Sequence, residues 1–191
     1  VASTKECAAI ELDRDFCLSG GDRLTYRSSG RRIDDLKIAL GGDHQRDNAA
    51  VAIACLERLA PGEFSDAAVR EGLEEVHWPG RLQVVSTSPL VVLDGAHNID
   101  GVRALTGSLG PVAGGRRVHL LFAVMRDKDW LPMVDALAEI ADDVVVCEVL
   151  PPRGAPADEV ANSFRPHRPA ETIRDPGAAV AHVLERSGPD D

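Results

Sequence analysis

From residue 81 onward, short apolar runs alternate with helical stripes, and this alternation leaves the chain few architectures to choose from. Residues 82–86, 90–93, 118–124 and 144–149 read as strands. Val102, Leu105 and Leu109 mark one helix between them, and Trp130, Val134, Leu137 and Ala141 mark another. A helix near 157–162, a short strand at 172–173 and a helix over 176–185 complete the run. The apolar segment 118–124 suits a strand buried on both faces. Strands separated by helices predict an α/β fold with a parallel, right-handed, Rossmann-like sheet. A doubly wound domain usually returns to the sheet after such a helix, so the chain is expected to stop before its last strand. Residues 187–191 are expected to fray.

The first 79 residues follow another pattern. Residues 8–12, 23–27 and 33–40 read as short strands, punctuated by Ser19-Gly20-Gly21-Asp22 and Ser28-Ser29-Gly30. Gly41-Gly42-Asp43 introduces a helix with Asp43 as the expected N-cap. Ala49, Ala52, Ile53, Leu56 and Leu59 form its expected buried stripe, and Pro61-Gly62 ends it. A shorter helix is expected over 65–75. The boundary between the two patterns falls at Trp78-Pro79-Gly80, giving expected domains 1–79 and 80–191.

Composition narrows the partners. The 191 residues carry a net charge of -10, which argues against nucleic acid because phosphate backbones need a clustered basic surface. A few local arginines still suffice for a small anion. The four cysteines show no C-x-x-C spacing, so no metal site is expected; Cys55 and Cys147 lie in apolar runs and are expected to be buried thiols. No apolar stretch is long enough for a membrane span, and the N-terminus does not read as a signal peptide. The first residue is Val1, not Met, so a processed or truncated piece in a reduced, cytoplasmic setting is expected.

Three polar strings stand out. Leu93-Asp94-Gly95-Ala96-His97-Asn98 follows a strand, and strand ends form the ligand crevice of open α/β sheets. Asp94 could accept hydrogen bonds from a ribose, His97 could meet a phosphate or an amine, and Asn98 suits the N-cap of the next helix, whose N-terminus favours an anion. Arg81 follows a rigid Pro-Gly turn and could meet a phosphate oxygen or form an inter-domain salt bridge. His44-Gln45-Arg46-Asp47-Asn48 lies in the first turns of a helix, where Asn48 either binds a heterocycle or sugar or only serves local solvation. Asp127-Lys128-Asp129 follows the strand at 118–124 and is expected at the same sheet edge as Asp94, with Asp129 a ligand group or an N-cap. No G-x-x-x-x-G-K-[ST] phosphate loop, no G-x-G-x-x-G and no nucleophile elbow occurs.

The order HQRDNAA, WPGR, LDGAHN, FAVMRDKD resembles the folylpolyglutamate synthase and dihydrofolate synthase family of the Mur ligase superfamily, over residues 16–185. The resemblance implies that 1–79 ends a P-loop-type ATPase central domain. It implies that 80–191 is the Rossmann-like C-terminal domain with a mostly parallel sheet. It places ATP contacts at Asn48, Arg81 and Asp94 and sets His97 beside the reaction centre; His97, Asp127 and Lys128 are then expected to line the domain cleft near the glutamate as catalytic residues. Gln45 matches a motif position with no role attached, and Ala123 stands where the family often has glycine. The phosphate loop, the Mg2+ ligands and most folate contacts would lie in an N-terminal half. This chain would then be a fragment, or one half of a split enzyme, inactive alone. The implied partners are ATP, L-glutamate and dihydropteroate or folate, and the implied reaction is amide formation through an acyl phosphate, with domain closure about residues 78–81. Another Mur-type ligase of peptidoglycan synthesis and a non-catalytic Rossmann-like subunit are the competing readings.

Overall fold

The computed structural model describes residues 9–149 and 152–191. The chain divides into two compact units, Val1–Pro79 and Gly80–Asp191. Cys7 and position 8, the start of the first expected strand, lie outside the described residues.

The first unit is a three-stranded antiparallel meander with two helices. Its strands are β1 (Phe16–Gly20), β2 (Leu24–Ser28) and β3 (Arg32–Leu36), followed by α1 (His44–Leu59) and α2 (Asp66–Glu75). The first strand lies later than the expected 8–12. Leu12 makes a single bridge to Phe16, and between them Asp15 accepts from Glu11 N at 2.8 Å, closing a turn rather than extending a strand. β3 stops before residue 40 because Ala39 N donates to Leu73 O of α2 and the chain leaves the sheet. The β1–β2 turn requires Gly20: its φ is +132°, and a Cβ there would lie 2.4 Å from Arg23 O.

The expected stripe on α1 is corrected by the structure. The helix buries Gln45, Ala49, Ala50, Ile53 and Ala54, while Leu56 and Leu59 are 43% and 83% exposed. The reason lies one turn further on. Glu57 accepts from both Tyr26 Oη, at 2.5 Å, and Ser28 Oγ, at 3.0 Å, so the helix must turn Glu57 toward β2. Residues four, seven, eight and twelve positions earlier then face the sheet. Cys55 is correspondingly exposed, not buried, whereas Cys147 is buried and its thiol is pushed up by desolvation. Asp43 holds the N-cap position with helical backbone and no side-chain cap. Ser65 does cap α2, accepting from Ala68 N at 3.1 Å.

The second unit contains two sheets. β4 (Gln83–Thr87) and β5 (Leu90–Leu93) form an antiparallel hairpin, followed by α3 (Ile99–Ala113). Then come β6 (His119–Phe122), α4 (Leu131–Ala138), β7 (Asp143–Val146), α5 (Ala157–Phe164), β8 (Ala170–Thr172) and α6 (Pro176–Arg186). β6, β7 and β8 form a parallel three-stranded sheet in that order. β7 is buried along its length, as its unbroken valine run requires. Val144 and Val146 pack with Val102, Val134, Leu137, Val160 and Phe164 of α3, α4 and α5, where Phe122 and Phe164 meet edge to face at 5.7 Å. Val145 and Cys147 pack with Ala179 of α6 on the other face.

Two expectations fail here. β5 is hydrogen-bonded to β4 and not to β6, so Asp94 and residues 127–129 do not end neighbouring strands of one sheet. Residues 187–191 are docked rather than frayed. Leu90 N donates to Asp191 O at 2.9 Å, and His119, held by Asp143 at 3.0 Å, meets the Asp191 carboxylate at 3.3 Å. Among the described residues no helix is long and apolar enough to cross a membrane.

Candidate functional site

The turn after β5 is built by backbone groups. Asp94 uses both carboxylate oxygens: Oδ2 accepts from Leu82 N and Oδ1 from Ala96 N, each at 2.8 Å. Gly95 N donates to Gly80 O at 2.8 Å. Two of these hydrogen bonds tie residues 80–82 to residues 94 and 95, and the third braces the 94–96 turn itself. The local backbone needs this support, because Gly80 and Leu82 have φ of +71° and +43°. Each Asp94 oxygen retains a second lone pair, but the first duty of this carboxylate is to clamp the turn.

Arg81 is positioned by that clamp. Its guanidinium lies over Gly95, where an added Cβ would sit 3.0 Å from Nη1. No carboxylate lies within ion-pair reach of Arg81 among the described residues. His97 is exposed and places Nδ1 2.9 Å from Gly95 O, so an Nδ1 proton donates to that carbonyl, which leaves Nε2 without a protein partner among the described residues. Asn98 caps α3, accepting from Gly101 N at 2.7 Å. An unneutralised guanidinium, an imidazole and a helix N-terminus are therefore gathered where the two turns meet, an arrangement that favours an anion.

The other candidates occupy different places. Asp127 and Lys128 follow β6 and pair with each other at 3.7 Å, Asp127 largely exposed. Asp129 caps nothing; Trp130 holds the N-cap position of α4 without a side-chain bond. In the first unit, Asn48 is exposed and donates through Nδ2 to Gln45 Oε1 at 3.1 Å. Gln45, 6% exposed, in turn places Nε2 2.9 Å from His44 Nε2, and His44 Nδ1 is buried with no partner among the described residues. Gln45 is the residue whose part the sequence left blank. It orients the Asn48 amide, and the sign of this in the sequence is an amide three residues before another on a helix.

The family model for the Mur ligase, glutamate ligase domain, matches residues 80–191. The chain belongs to the Mur ligase family. A probable bifunctional folylpolyglutamate synthase/dihydropteroate synthase of Haloferax volcanii is 34% identical over 192 residues, covering 96% of this chain and 23% of that protein. FolC of E. coli, solved in complex with DHPP and ADP, superposes with a TM-score of 0.86 at 26% identity, over 98% of this chain and 44% of FolC. A bifunctional folylpolyglutamate synthase/dihydrofolate synthase solved with Mn, AMPPNP and L-glutamate bound gives a TM-score of 0.85 at 27% identity, over 100% of this chain and 45% of that one. This Mur ligase chain spans less than half the length of each of these three.

Proposed function

We propose that this chain supplies part of an ATP-dependent ligase that joins L-glutamate to dihydropteroate or folate through an acyl phosphate. The observation that carries the reading is the turn after β5, where Arg81 is held over Gly95 with its charge unneutralised beside the α3 N-terminus. Such a turn stabilises the charge of a transferring phosphoryl group. The likeness of the chain as a whole to proteins solved with ADP, AMPPNP and L-glutamate supports the assignment. Asn48 offers its free amide oxygen to adenine or ribose, and Asp94 its remaining lone pairs to a ribose hydroxyl. His97, held through Nδ1 on Gly95 O, and the Asp127–Lys128 pair serve the amine that attacks. Among the described residues no three His, Cys, Asp or Glu side chains gather as a cation would need, so no step is assigned to a metal here. The setting is cytoplasmic, where ATP and free glutamate are at hand.

In the complete ligase, Arg81→Ala is expected to slow turnover by about 10- to 1000-fold, the cost of a lost charged contact in the transition state. Unchanged kcat and KM for ATP would reject its role. The pure 191-residue chain, which has no phosphate-loop motif, is expected to turn over no ATP. Measurable hydrolysis by it would overturn that part of the reading.

A further inference from the structure

A charged cluster that the candidate site does not use lies at the other end of β5 from the Asp94 turn. His119, the first residue of β6, has a side chain only 8% exposed. Its Nδ1 lies 3.0 Å from Asp143 Oδ1, at the start of β7, and its Nε2 lies 3.3 Å from Asp191 Oδ2. His167 and His182, by contrast, each meet a carboxylate through Nε2 alone. The Gly188 amide, at 2.7 Å, and then His119 hold the Asp191 carboxyl below the usual carboxylate range, so it stays ionised. An ionised carboxylate only accepts hydrogen bonds, so both ring nitrogens of His119 must donate. The ring that makes both contacts is the imidazolium.

Asp191 is also a joint between two sheets that are not paired with each other. Leu90 N, at the start of β5, donates to Asp191 O at 2.9 Å, and Ser88 Oγ donates to Pro189 O at 3.3 Å. On its other side the Asp191 carboxylate reaches β6 through His119. The surrounding charges leave the ring as the variable part. Arg117 pairs with Asp143 at 3.0 Å, and Asp142 accepts from Val118 N at 2.8 Å. On α6, which packs on β6, His182 and Arg186 are engaged by Glu171 of β8, and Glu185 is exposed, as is Asp190 of the tail.

We propose that residues 187–191 are a pH-sensitive latch, closed on β5 and β6 while His119 carries both ring protons and released when it loses one. A neutral imidazole has one N–H and one lone pair, so it can satisfy only one of its two carboxylates. The contact to Asp143 is the shorter, and that carboxylate is buried and held by Arg117. The proton therefore stays on Nδ1. Nε2 then turns a lone pair toward Asp191 Oδ2, and two acceptors face each other. Asp191, whose side chain is about a quarter exposed, is the partner that can leave for water. Its departure strips Leu90 N of its acceptor and frees the hairpin from β6. The latch opens as pH rises, the direction in which a histidine loses charge.

Hydrogen exchange of the Leu90 amide in the 15N-labelled chain tests this, read as a protection factor, the intrinsic rate over the observed rate at the same pH. From about pH 5.5 to about pH 9, a span that covers the loss of a histidine ring proton, Leu90 protection is expected to fall about tenfold. The His119 Cε1 proton is expected to shift over the same interval. The Ile173 amide, which donates to Val146 O at 3.0 Å in the parallel sheet, is expected to keep its protection. Asp191→Asn distinguishes a latch from general loosening. A carboxamide accepts from the charged ring and donates to the neutral one, so Leu90 protection is expected to stay within about twofold across the range. Asp191→Ala is expected to leave Leu90 poorly protected at both ends of it. Both variants alter a tail residue outside the packed clusters, so folding is not at stake. The latch is overturned if Leu90 protection holds steady, falls together with that of Ile173, falls equally in Asp191→Asn, or stays high in Asp191→Ala. No nucleotide enters the measurement, so its outcome is independent of the ligase reading.

Discussion

The turn after β5 and the first turns of α1 both present polar side chains, but they are held in opposite ways. At the turn, side chains serve the backbone: Asp94 clamps Leu82 N and Ala96 N, Asn98 caps α3, and His97 braces on Gly95 O. At α1 the side chains serve one another, in a chain from His44 through Gln45 to Asn48. The first arrangement is stiff because each bond closes a short loop of main chain. The second is adjustable, because amides on one helix face can re-pair without moving the backbone. Motif residues in the two places are therefore expected to fail differently when altered.

The sharpest contrast comes from Asp94→Ala. It strips two backbone amides of a charged acceptor at once and is expected to cost the Gly80–Asp191 unit about 2–3 kcal/mol, given ~1.5 kcal/mol or more for each hydrogen bond to a charged group. Urea unfolding followed by Trp130 fluorescence measures it. A loss below about 0.5 kcal/mol, the range of an ordinary surface change, would remove the clamp from the account.

Tyr26→Phe comes next, at about 1–2 kcal/mol from the first unit, since it leaves Glu57 short of a buried donor. Burial first, and then the hydrogen bond to Glu57, push the Tyr26 phenol well above its usual value. The folded state therefore holds this proton more tightly than the unfolded chain does. The stability that follows is complete below about pH 10, the ordinary tyrosine value, and falls as pH rises beyond it. Alkaline unfolding curves should show that fall in the unaltered chain and not in Tyr26→Phe.

Asn48→Ala marks the other end of the scale. The amide is exposed, so stability should change by less than about 0.5 kcal/mol, while KM for ATP rises in the complete ligase. A large loss of stability with unaltered KM would make the α1 relay structural and erase its difference from the turn.

Much of the second unit was legible because its strands are short apolar runs. β5 starts and ends at Leu90 and Leu93 as read, β6 lies inside its expected span, and β7 overlaps its own but starts one residue earlier, at Asp143, and ends at Val146. Pairing was not legible: periodicity gives the direction a side chain faces, not which strand lies alongside, so the β4–β5 hairpin was mistaken for part of the parallel sheet. The docking of Asp191 on Leu90 and His119 joins residues far apart in sequence and left no local sign. On α1, apolarity misled because two sheet-facing positions, Gln45 and Glu57, are polar and hydrogen-bonded, while Leu56 and Leu59 face outward. At the candidate site the motif named Arg81, Asp94 and His97 and the structure gathers them on one turn. The clamping role of Asp94 was hidden, since its partners are main-chain amides that any residue could supply.

Tyr26 is the chain's single tyrosine, and it is fully buried against α1. Phenolate absorbance near pH 11 is thus silent while the Val1–Pro79 unit stays folded and appears when that unit opens. A stopped-flow jump to alkali would clock that opening optically, with no label attached and no signal from the remaining 112 residues of Gly80–Asp191.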